Sequence, residues 1–256
     1  MNRCARRSRS VSGRGLATLA RAGWTLLRHA DFRLLVLALT IVIGCWAFIG
    51  LASEVKEGDH QALDERLVRS LRSAADPAVP IGPAWLAEAG RDVTALGSVV
   101  VLSLVSLSVA GFLACQRRYR HLLAMTIAVG GGILASTALK HAFMRPRPDV
   151  VPHLAYVQTW SFPSGHAMLS AIVYLTLGAM IVRLNPDRRI KIYVLGIAML
   201  LTVLVGISRV FLGVHYPSDV IAGWAAGLTW ASGCWLFEEV IARRKREKGP
   251  PPVPMT

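Results

Sequence analysis

Charged residues are scarce in this chain of 256 residues: Asp, Glu, Lys and Arg make up 17%, whereas hydrophobic residues make up 54%. With a mean hydropathy of +0.47, this composition excludes an ordinary soluble domain and indicates that the bilayer is the solvent. Cysteine is also sparse. The four cysteines have no short pairing and lie mostly within apolar runs, which argues against a zinc site and against a disulfide framework.

Acidic residues are few, 15 against 29 Lys and Arg, so the formal net charge is +14. A nucleic-acid-binding protein of this charge would carry a basic surface with polar or aromatic readers on a soluble scaffold. Here the basic residues lie between apolar runs. We therefore predict no nucleic-acid partner and interpret the basic residues as signals of membrane topology.

The apolar runs predict six membrane spans, because about 20 apolar residues cross the hydrocarbon core. The candidate spans are residues 34–52, 93–115, 122–143, 167–182, 192–207 and 220–237. The fourth and fifth runs are short, and they cross only if they are tilted or extend into flanking residues. The expected fold class is all-α, a six-span transmembrane helix bundle.

The basic residues also predict an orientation, since Lys and Arg in short loops stay in the cytoplasm. With a cytoplasmic N-terminus, the inner segments are 1–33, 116–121, 183–191 and 238–256. These segments hold 20 of the 29 Lys and Arg and five of the 15 acidic residues. Both termini are therefore expected in the cytoplasm. Cleavage of the first run as a signal peptide is the alternative, and it would leave the orientation of the other five spans unchanged.

The polar stretch between the first two spans contains Leu63, Leu67 and Leu71 at helical spacing among charged residues. This pattern predicts an amphipathic helix on the extracytoplasmic side. We expect a solvated helix that rests on the membrane surface, rather than an element that recognises substrate.

Three short stretches carry the polar and ionisable residues that apolar helices tolerate poorly: 140–148, 163–166 and 208–219. In the predicted orientation the third and fifth spans exit, and the fourth and sixth spans begin, at these stretches. All three therefore fall on the extracytoplasmic face.

The three stretches share one pattern: Lys140, six residues, Arg147-Pro148; then Pro163-Ser164-Gly165-His166; then Ser208-Arg209, five residues, His215, three residues, Asp219. This pattern resembles the signature of the type 2 phosphatidic acid phosphatase superfamily at every defining position and in order. Any one stretch alone would be a weak signal. The resemblance covers residues 93–237 and implies a membrane-embedded lipid phosphatase.

The residue types suit phosphoryl transfer, in which charge spreads over the phosphate oxygens and catalysis needs positioned cations and N–H donors. Lys140, Arg147 and Arg209 supply three cations for an anionic phosphate. Ser164 and Gly165 precede the fourth span, so backbone N–H groups there can face a phosphate at a helix N-terminus. We predict that these five residues bind the phosphate.

His215 and Asp219 stand four residues apart, the spacing at which helical side chains share a face. A carboxylate that accepts from one imidazole nitrogen fixes the tautomer and leaves the other nitrogen free to attack phosphorus. His215 is therefore the predicted nucleophile, through a phosphohistidine, and Asp219 orients it. His166 is the predicted general acid, and later the base that activates water. The resemblance implies the same roles.

Two residues are possible auxiliaries. Arg145 precedes Arg147 in an Arg-Pro-Arg-Pro run but lacks the family spacing from Lys140. The Ser208 hydroxyl either bonds within its helix or contacts phosphate, and the sequence leaves both open. No metal ligand and no cofactor are predicted, because the three cations do the work that a metal would do.

The sequence therefore divides into four regions. They are a basic cytoplasmic tail (1–33), the first span with the extracytoplasmic amphipathic segment (34–92), the catalytic bundle (93–237) and a basic, proline-rich cytoplasmic tail (238–256). The expected location is a bacterial inner membrane with an extracytoplasmic active site.

The expected partners are the bilayer and a lipid phosphate. Related phosphatases act on undecaprenyl diphosphate, phosphatidylglycerophosphate, phosphatidic acid or lipid A phosphates, and the outward-facing site favours undecaprenyl diphosphate. Two alternatives remain: a vanadate-dependent haloperoxidase, against which six spans argue, and a non-catalytic lipid-binding or lipid-transport protein on the same bundle.

Overall fold

The structure, a computed structural model, describes the backbone of residues 32–247 and the side chains of residues 34–242. Within this part of the chain there is no strand, and the β pairing is an isolated antiparallel bridge between Arg72 and Pro80. The predicted tail 1–33 lies almost wholly outside the described residues, and so does the proline-rich end beyond residue 247.

Eight helices follow one another in the described residues. They are α1 (Phe32–Glu57), α2 (Gln61–Ser70), α3 (Ala84–Ala95), α4 (Val99–Cys115), α5 (Tyr119–Phe143), α6 (Gly165–Leu184), α7 (Arg188–Phe211) and α8 (Pro217–Glu247). Among the described residues, 32–36 belong to an N-terminal unit. Those from Leu37 to residue 247 belong to one compact unit, which contains the whole site described below.

Five helices, α1 and α5 to α8, are long and apolar enough to cross a membrane, and the bent pair of α3 and α4 brings the number to six if it forms one span. The prediction of an all-helical, multi-span membrane protein is confirmed. The fourth and fifth predicted runs looked short. Their helices, α6 and α7, have 20 and 24 residues because they extend into flanking residues.

The second predicted span, 93–115, is not one straight helix. It breaks between α3 and α4, whose axes differ by 43°. The break follows from local chemistry: Gly97 is a poor helix former, and the Ser98 hydroxyl accepts a hydrogen bond from the Val101 N–H and so starts a new helix.

The centre of the bundle is α6, which packs against α4, α5, α7 and α8. Its residues 167–173 are all buried. A helix that is apolar on nearly every side is stable only where other helices surround it, as they do here. Met168, Ile172 and Val173 form the main apolar cluster with Leu102 of α4. The first turns of α6 are therefore fixed by packing against the surrounding helices.

The amphipathic helix is present as α2, and it also packs against the protein through a second face. Leu63 and Leu67 are 48% and 42% exposed, whereas Asp64 and Val68 are 3% and 0% exposed. The reason is tertiary: α2 packs on α8 and on the segment before it, which offers hydrogen-bond donors to Asp64 as well as apolar contacts to Val68. These contacts anchor α2 to the bundle.

Candidate active site

The structure brings every predicted site residue to one end of the bundle, which we call the site end. This follows from the antiparallel order of the helices: α5 and α7 end there, and α6 and α8 begin there. Two connecting segments lie between them, residues 144–164 and residues 212–216. The sequence motifs, 80 residues apart at their extremes, thus meet in space.

The His215 imidazole is 1% exposed and faces two acceptors through Nδ1. Asp219 Oδ2 lies 3.4 Å from Nδ1, and Ser161 Oγ lies 3.2 Å from it. The Ser161 hydroxyl in turn donates a hydrogen bond to Asp219 Oδ2. Ser161 therefore links the histidine to the carboxylate. Sequence reasoning missed this residue, because a serine two positions before the Pro-Ser-Gly-His stretch carries no signal of its own.

The tautomer of His215 follows from its other neighbour. The Arg147 NH1 atom lies 3.1 Å from His215 Nε2 and also donates to the Val214 carbonyl at 2.6 Å. A guanidinium has only donors, so Nε2 has to be the acceptor and Nδ1 carries the hydrogen. The arrangement leaves a lone pair on Nε2 pointing towards a cation, which is the state that a phosphorus nucleophile needs.

Electrostatics keep this imidazole neutral. Burial, followed by the positive charges of Arg147 and Arg209, lowers the pKa of His215 well below its ordinary value. Burial also lowers the pKa of Arg147, to about 10, so this side chain remains a cation at neutral pH. His215 is therefore unprotonated at neutral pH while the nearby arginine stays charged.

Asp219 is completely buried and fully engaged. Its Oδ1 accepts from Arg145 NH1 at 2.7 Å, and its Oδ2 accepts from the Tyr216 N–H at 2.9 Å in addition to Ser161. Arg145, one of the two predicted auxiliaries, thus contacts Asp219 rather than the neighbourhood of His215 Nε2. Burial acts to lower the pKa of Arg145, but Asp219 and Asp64 outweigh it and raise the pKa.

The first turn of α6 offers donors at the site end. Ser164 is the N-cap residue, yet its hydroxyl makes no capping hydrogen bond; it is fully buried and has no partner among the described residues. The first N–H groups of any helix have no intrahelical acceptor. At Gly165 an added Cβ would stand 3.3 Å from Lys140 Cε, so the glycine permits the close approach of the lysine. A helix start with such free donors is of the kind that can face an anion.

The unpaired Ser164 hydroxyl leads to a prediction. In Ser164→Ala the melting temperature should stay within about 2 °C of the wild type, because no protein hydrogen bond is lost. Inhibition by inorganic phosphate should weaken by about 10–100-fold, the value of one hydrogen bond to a charged group. Inhibition constants and thermal melts in detergent measure the two effects.

The matched control is Ser170→Ala on the same helix, whose buried hydroxyl donates to the Ala167 carbonyl at 3.1 Å. That variant should lose stability rather than phosphate affinity. Equal phosphate inhibition in Ser164→Ala and wild type would remove Ser164 from the anion site.

The other two cations approach from α5 and α7. Lys140 donates through Nζ to the Trp160 carbonyl. Arg209 is 3% exposed, and its NH1 donates to Thr94 Oγ1 at 3.0 Å while its Nε has no partner among the described residues. His166 is half-buried and makes no hydrogen bond with any described residue. The His166 imidazole and the Nε atom of the Arg209 guanidinium are therefore available to a ligand.

Ser208, the second predicted auxiliary, has a structural contact. Its buried hydroxyl donates to the Val205 carbonyl at 2.7 Å, one turn back in α7. This is the intrahelical option that the sequence left open, and it turns the hydroxyl away from a phosphate role.

The net charge of the site is positive. Four cations, Lys140, Arg145, Arg147 and Arg209, accompany two buried carboxylates, Asp64 and Asp219. The excess of two positive charges matches a phosphate dianion. In the described part of the chain, no group of three or more His, Cys, Asp and Glu side chains could hold a metal ion.

This chain belongs to the PAP2 superfamily, whose family model matches residues 118–242. The matched range contains all of the predicted site residues. The protein is accordingly an integral membrane enzyme that hydrolyses phosphate esters.

Two relatives show how far the similarity extends. Phosphatidylglycerophosphatase B of Bacillus subtilis is 34% identical over 204 residues, which cover 78% of this chain and 95% of the relative. The undecaprenyl-diphosphatase of Sulfolobus acidocaldarius is 42% identical over 73 residues, 28% of this chain and 31% of the relative.

A solved structure agrees with the fold. The crystal structure of a transmembrane PAP2 type phosphatidylglycerolphosphate phosphatase from Bacillus subtilis superposes with a TM-score of 0.71 at 32% identity. The superposition covers 79% of this chain and 97% of that structure.

Proposed function

We propose that this protein removes a phosphate group from a membrane lipid through a phosphohistidine on His215, without a metal ion. The observation that carries the proposal is the orientation of His215. Its Nδ1 faces Ser161 and Asp219, and its Nε2 accepts from Arg147. A neutral imidazole held in this way, beside an excess of positive charge, is prepared to attack an anionic phosphorus centre.

In the first half of the reaction, His215 Nε2 attacks phosphorus and the bond from phosphorus to the lipid oxygen breaks. Arg147 has to exchange Nε2 for phosphate oxygens, and it is joined there by Arg209, Lys140 and the first turn of α6. His166 donates a proton to the departing oxygen. A bound phosphate anion favours the protonated imidazole that this step requires.

In the second half, the neutral His166 takes a proton from a water molecule, whose oxygen attacks the phosphohistidine. The bond from phosphorus to Nε2 breaks, inorganic phosphate leaves and His215 returns to its starting tautomer. Asp219 accepts from Nδ1–H throughout, so it stabilises the positive charge on the ring while phosphorus is attached.

An apolar groove supports a lipid rather than a soluble substrate. A cavity of about 940 Å³ lies between α1, α5, α6 and α8, with an almost wholly apolar lining on the helix faces. It runs along α5 from Arg120 to Leu139, about 28 Å at 1.5 Å per residue, and Leu139 is the neighbour of Lys140. A hydrocarbon tail in this groove would place its headgroup at the cations of the site.

The groove gives a prediction. Cys45 is exposed and lines the groove from α1, so Cys45→Trp fills it without disturbing the core. The KM for a long-chain lipid phosphate should rise about tenfold, the cost of losing roughly 1–2 kcal/mol of apolar burial. The KM for a water-soluble aryl phosphate should not change.

Val42→Trp is the matched control, since Val42 is 64% exposed on the same helix and does not line the groove. Steady-state kinetics in mixed micelles of constant lipid fraction measure the effect. An equal change of KM in the two variants would argue against tail binding at this place.

Among lipids, we place phosphatidylglycerophosphate first, because the relative named for this activity matches along almost its whole length. Undecaprenyl diphosphate, which the outward-facing site favoured, is the second candidate and is supported by a partial match of 42% identity. We further propose that the site end faces the extracytoplasmic side of a bacterial inner membrane. The support is the distribution of basic residues, 20 of 29 in the predicted cytoplasmic segments.

The test is phosphate release by detergent-purified protein in excess EDTA, from a panel of phosphatidylglycerophosphate, undecaprenyl diphosphate, phosphatidic acid and an aryl phosphate. We expect the highest kcat/KM for phosphatidylglycerophosphate and undiminished rates in EDTA. Absence of release from every substrate by folded protein would favour the non-catalytic lipid-binding alternative. Loss of release in EDTA, restored by a divalent cation, would contradict metal independence.

A further inference from the structure

The helix α2 places a carboxylate deep in the protein, outside the range that matches the family model. Asp64 is 3% exposed. A buried carboxylate is costly unless several donors satisfy it, so its partners show what it contributes. They are Ser218, in the first turn of α8, and Arg145, in the segment between α5 and α6.

Asp64 holds the start of α8. Its Oδ1 accepts from the Ser218 backbone N–H at 3.1 Å, and its Oδ2 accepts from the Ser218 hydroxyl. Ser218 lies in the first turn of α8, one residue before Asp219. A carboxylate at this position satisfies a free N–H group of the helix and is favoured by the positive end of the helix dipole.

Asp64 also holds Arg145. The NH2 atom of Arg145 lies 2.9 Å from Asp64 Oδ2, and its NH1 atom lies 2.7 Å from Asp219 Oδ1. The guanidinium, which is 7% exposed, stacks over the Tyr216 ring at 4.4 Å. One arginine thus bridges two buried carboxylates, and the second of these faces the Nδ1 atom of His215.

A second contact from the same region supports this function of α2. Arg72, two residues after α2, donates through NH1 to the Phe211 carbonyl at the end of α7, at 3.0 Å. Its NH2 atom occupies the space beside Gly213, where an added Cβ would stand 2.5 Å away, and Gly213 has a φ of +72°. The segment that carries His215 is therefore held at both ends by α2 and the residues that follow it.

We infer that Asp64 is a positioning residue for the phosphatase reaction, and that it acts through Arg145 on Asp219 and so on the tautomer and orientation of His215. This inference rests on the proposed function. Without the Asp64 charge, Asp219 is the remaining carboxylate partner of Arg145. The other acceptors of this guanidinium, Gln61 Oε1 and Ser218 Oγ, are neutral. The guanidinium is then drawn towards Asp219. The carboxylate then shifts away from Nδ1, and the imidazole loses the contact that selects its reactive tautomer.

The first test compares Asp64→Asn with Asp59→Asn, the same substitution at an exposed position just before α2. We expect Asp64→Asn to lower kcat by about 10–100-fold with KM within about twofold of the wild type, because the phosphate cations are untouched. Asp59→Asn should match the wild type. Equal kcat in the two variants would overturn the inference.

The second readout does not depend on turnover. Nitrogen-15 NMR of histidine-labelled protein, with the His215 signals assigned from His215→Gln, reports which ring nitrogen carries the hydrogen. We expect a single Nδ1–H tautomer in the wild type and in Asp59→Asn, and a mixture of tautomers in Asp64→Asn. A low kcat with an unchanged tautomer would overturn the inference. If the wild type releases no phosphate, the proposed function fails, and the tautomer alone still decides the effect of Asp64 on His215.

A double-mutant cycle tests the route through Arg145. The single variant Arg145→Gln and the double variant Arg145→Gln/Asp64→Asn should have the same kcat. Once Arg145 is absent, Asp64 has no route to Asp219, so removing its charge has no further effect on kcat. Multiplicative losses would show that Asp64 acts independently of Arg145 and would overturn the inference.

If Asp64→Asn does not fold, Ser218→Ala replaces it. This change removes the hydroxyl that donates to Asp64 and accepts from Arg145 NH1, and it leaves the backbone contact and both charges in place. A fall of kcat by about 3–10-fold with a mixed tautomer supports the inference. An unchanged kcat overturns it.

Discussion

His215→Gln reduces phosphate release by at least about 10⁴-fold, for every substrate that the wild type accepts. Gln keeps the size and polarity of the side chain but has no nitrogen lone pair that can attack phosphorus. The buried Arg147 and Asp219 contacts can persist with the amide, so the loss should be in kcat while phosphate still binds. The loss should exceed that of removing any single phosphate-binding cation, because the proposed covalent intermediate forms on His215 itself.

The measurement has two parts. Initial rates of phosphate release give kcat, and a rapid quench with phosphorus-32 substrate gives the labelled enzyme. Wild-type protein should retain acid-labile label, and His215→Gln should retain none. His141→Gln is the control, an exposed histidine at the same end of α5, and it should match the wild type. Persistent label in His215→Gln would assign the nucleophile to another residue.

His166→Gln separates the two half-reactions. With a lipid phosphate, kcat should fall about 10³-fold, because the lipid alkoxide is a poor leaving group that needs a proton. With an aryl phosphate the phenolate leaves unaided, so the first turnover should stay within about tenfold of the wild type. Later turnovers should be slow, since water activation also depends on His166.

Stopped-flow detection of the phenolate measures this effect. In His166→Gln we expect a burst of phenolate equal in concentration to the enzyme, followed by a slow phase. The half-buried position of His166, free of hydrogen bonds to described residues, is the structural basis of the prediction. An equal loss in the first turnover of both substrates would remove the general-acid role. The same His141→Gln control applies, and it should show no burst beyond that of the wild type.

The site could be predicted to a large extent from the sequence, since its motifs carry unusual residue types at short spacing. Lys140, Arg147, His166 and His215 stand out because ionisable groups are rare in a chain with 17% charged residues. Alternating the six apolar runs across the membrane then predicts that all three motifs lie on one face. Family membership and the membrane location of the enzyme are confirmed, while the individual catalytic roles stay predictions.

The contacts that position those residues could not be predicted. Ser161 is an ordinary serine in the sequence, and its link between His215 and Asp219 depends on how residues 144–164 fold over the start of α8. Periodicity selected Leu63 and Leu67 as the apolar face of α2. The face that packs against the protein contains Asp64, because Ser218 and Arg145 offer hydrogen-bond donors to its carboxylate, and periodicity carries no signal of these contacts.

Span length, helix type and the set of candidate site residues follow from local composition and spacing, because the bilayer demands apolar helices and phosphate demands cations. The tertiary structure alone decides the tautomer of His215, the pairing of Arg145 with two carboxylates and the groove beside α5. Each of these depends on side chains that are far apart in the chain. Their contacts arise only when several helices pack together, and no local pattern encodes that packing.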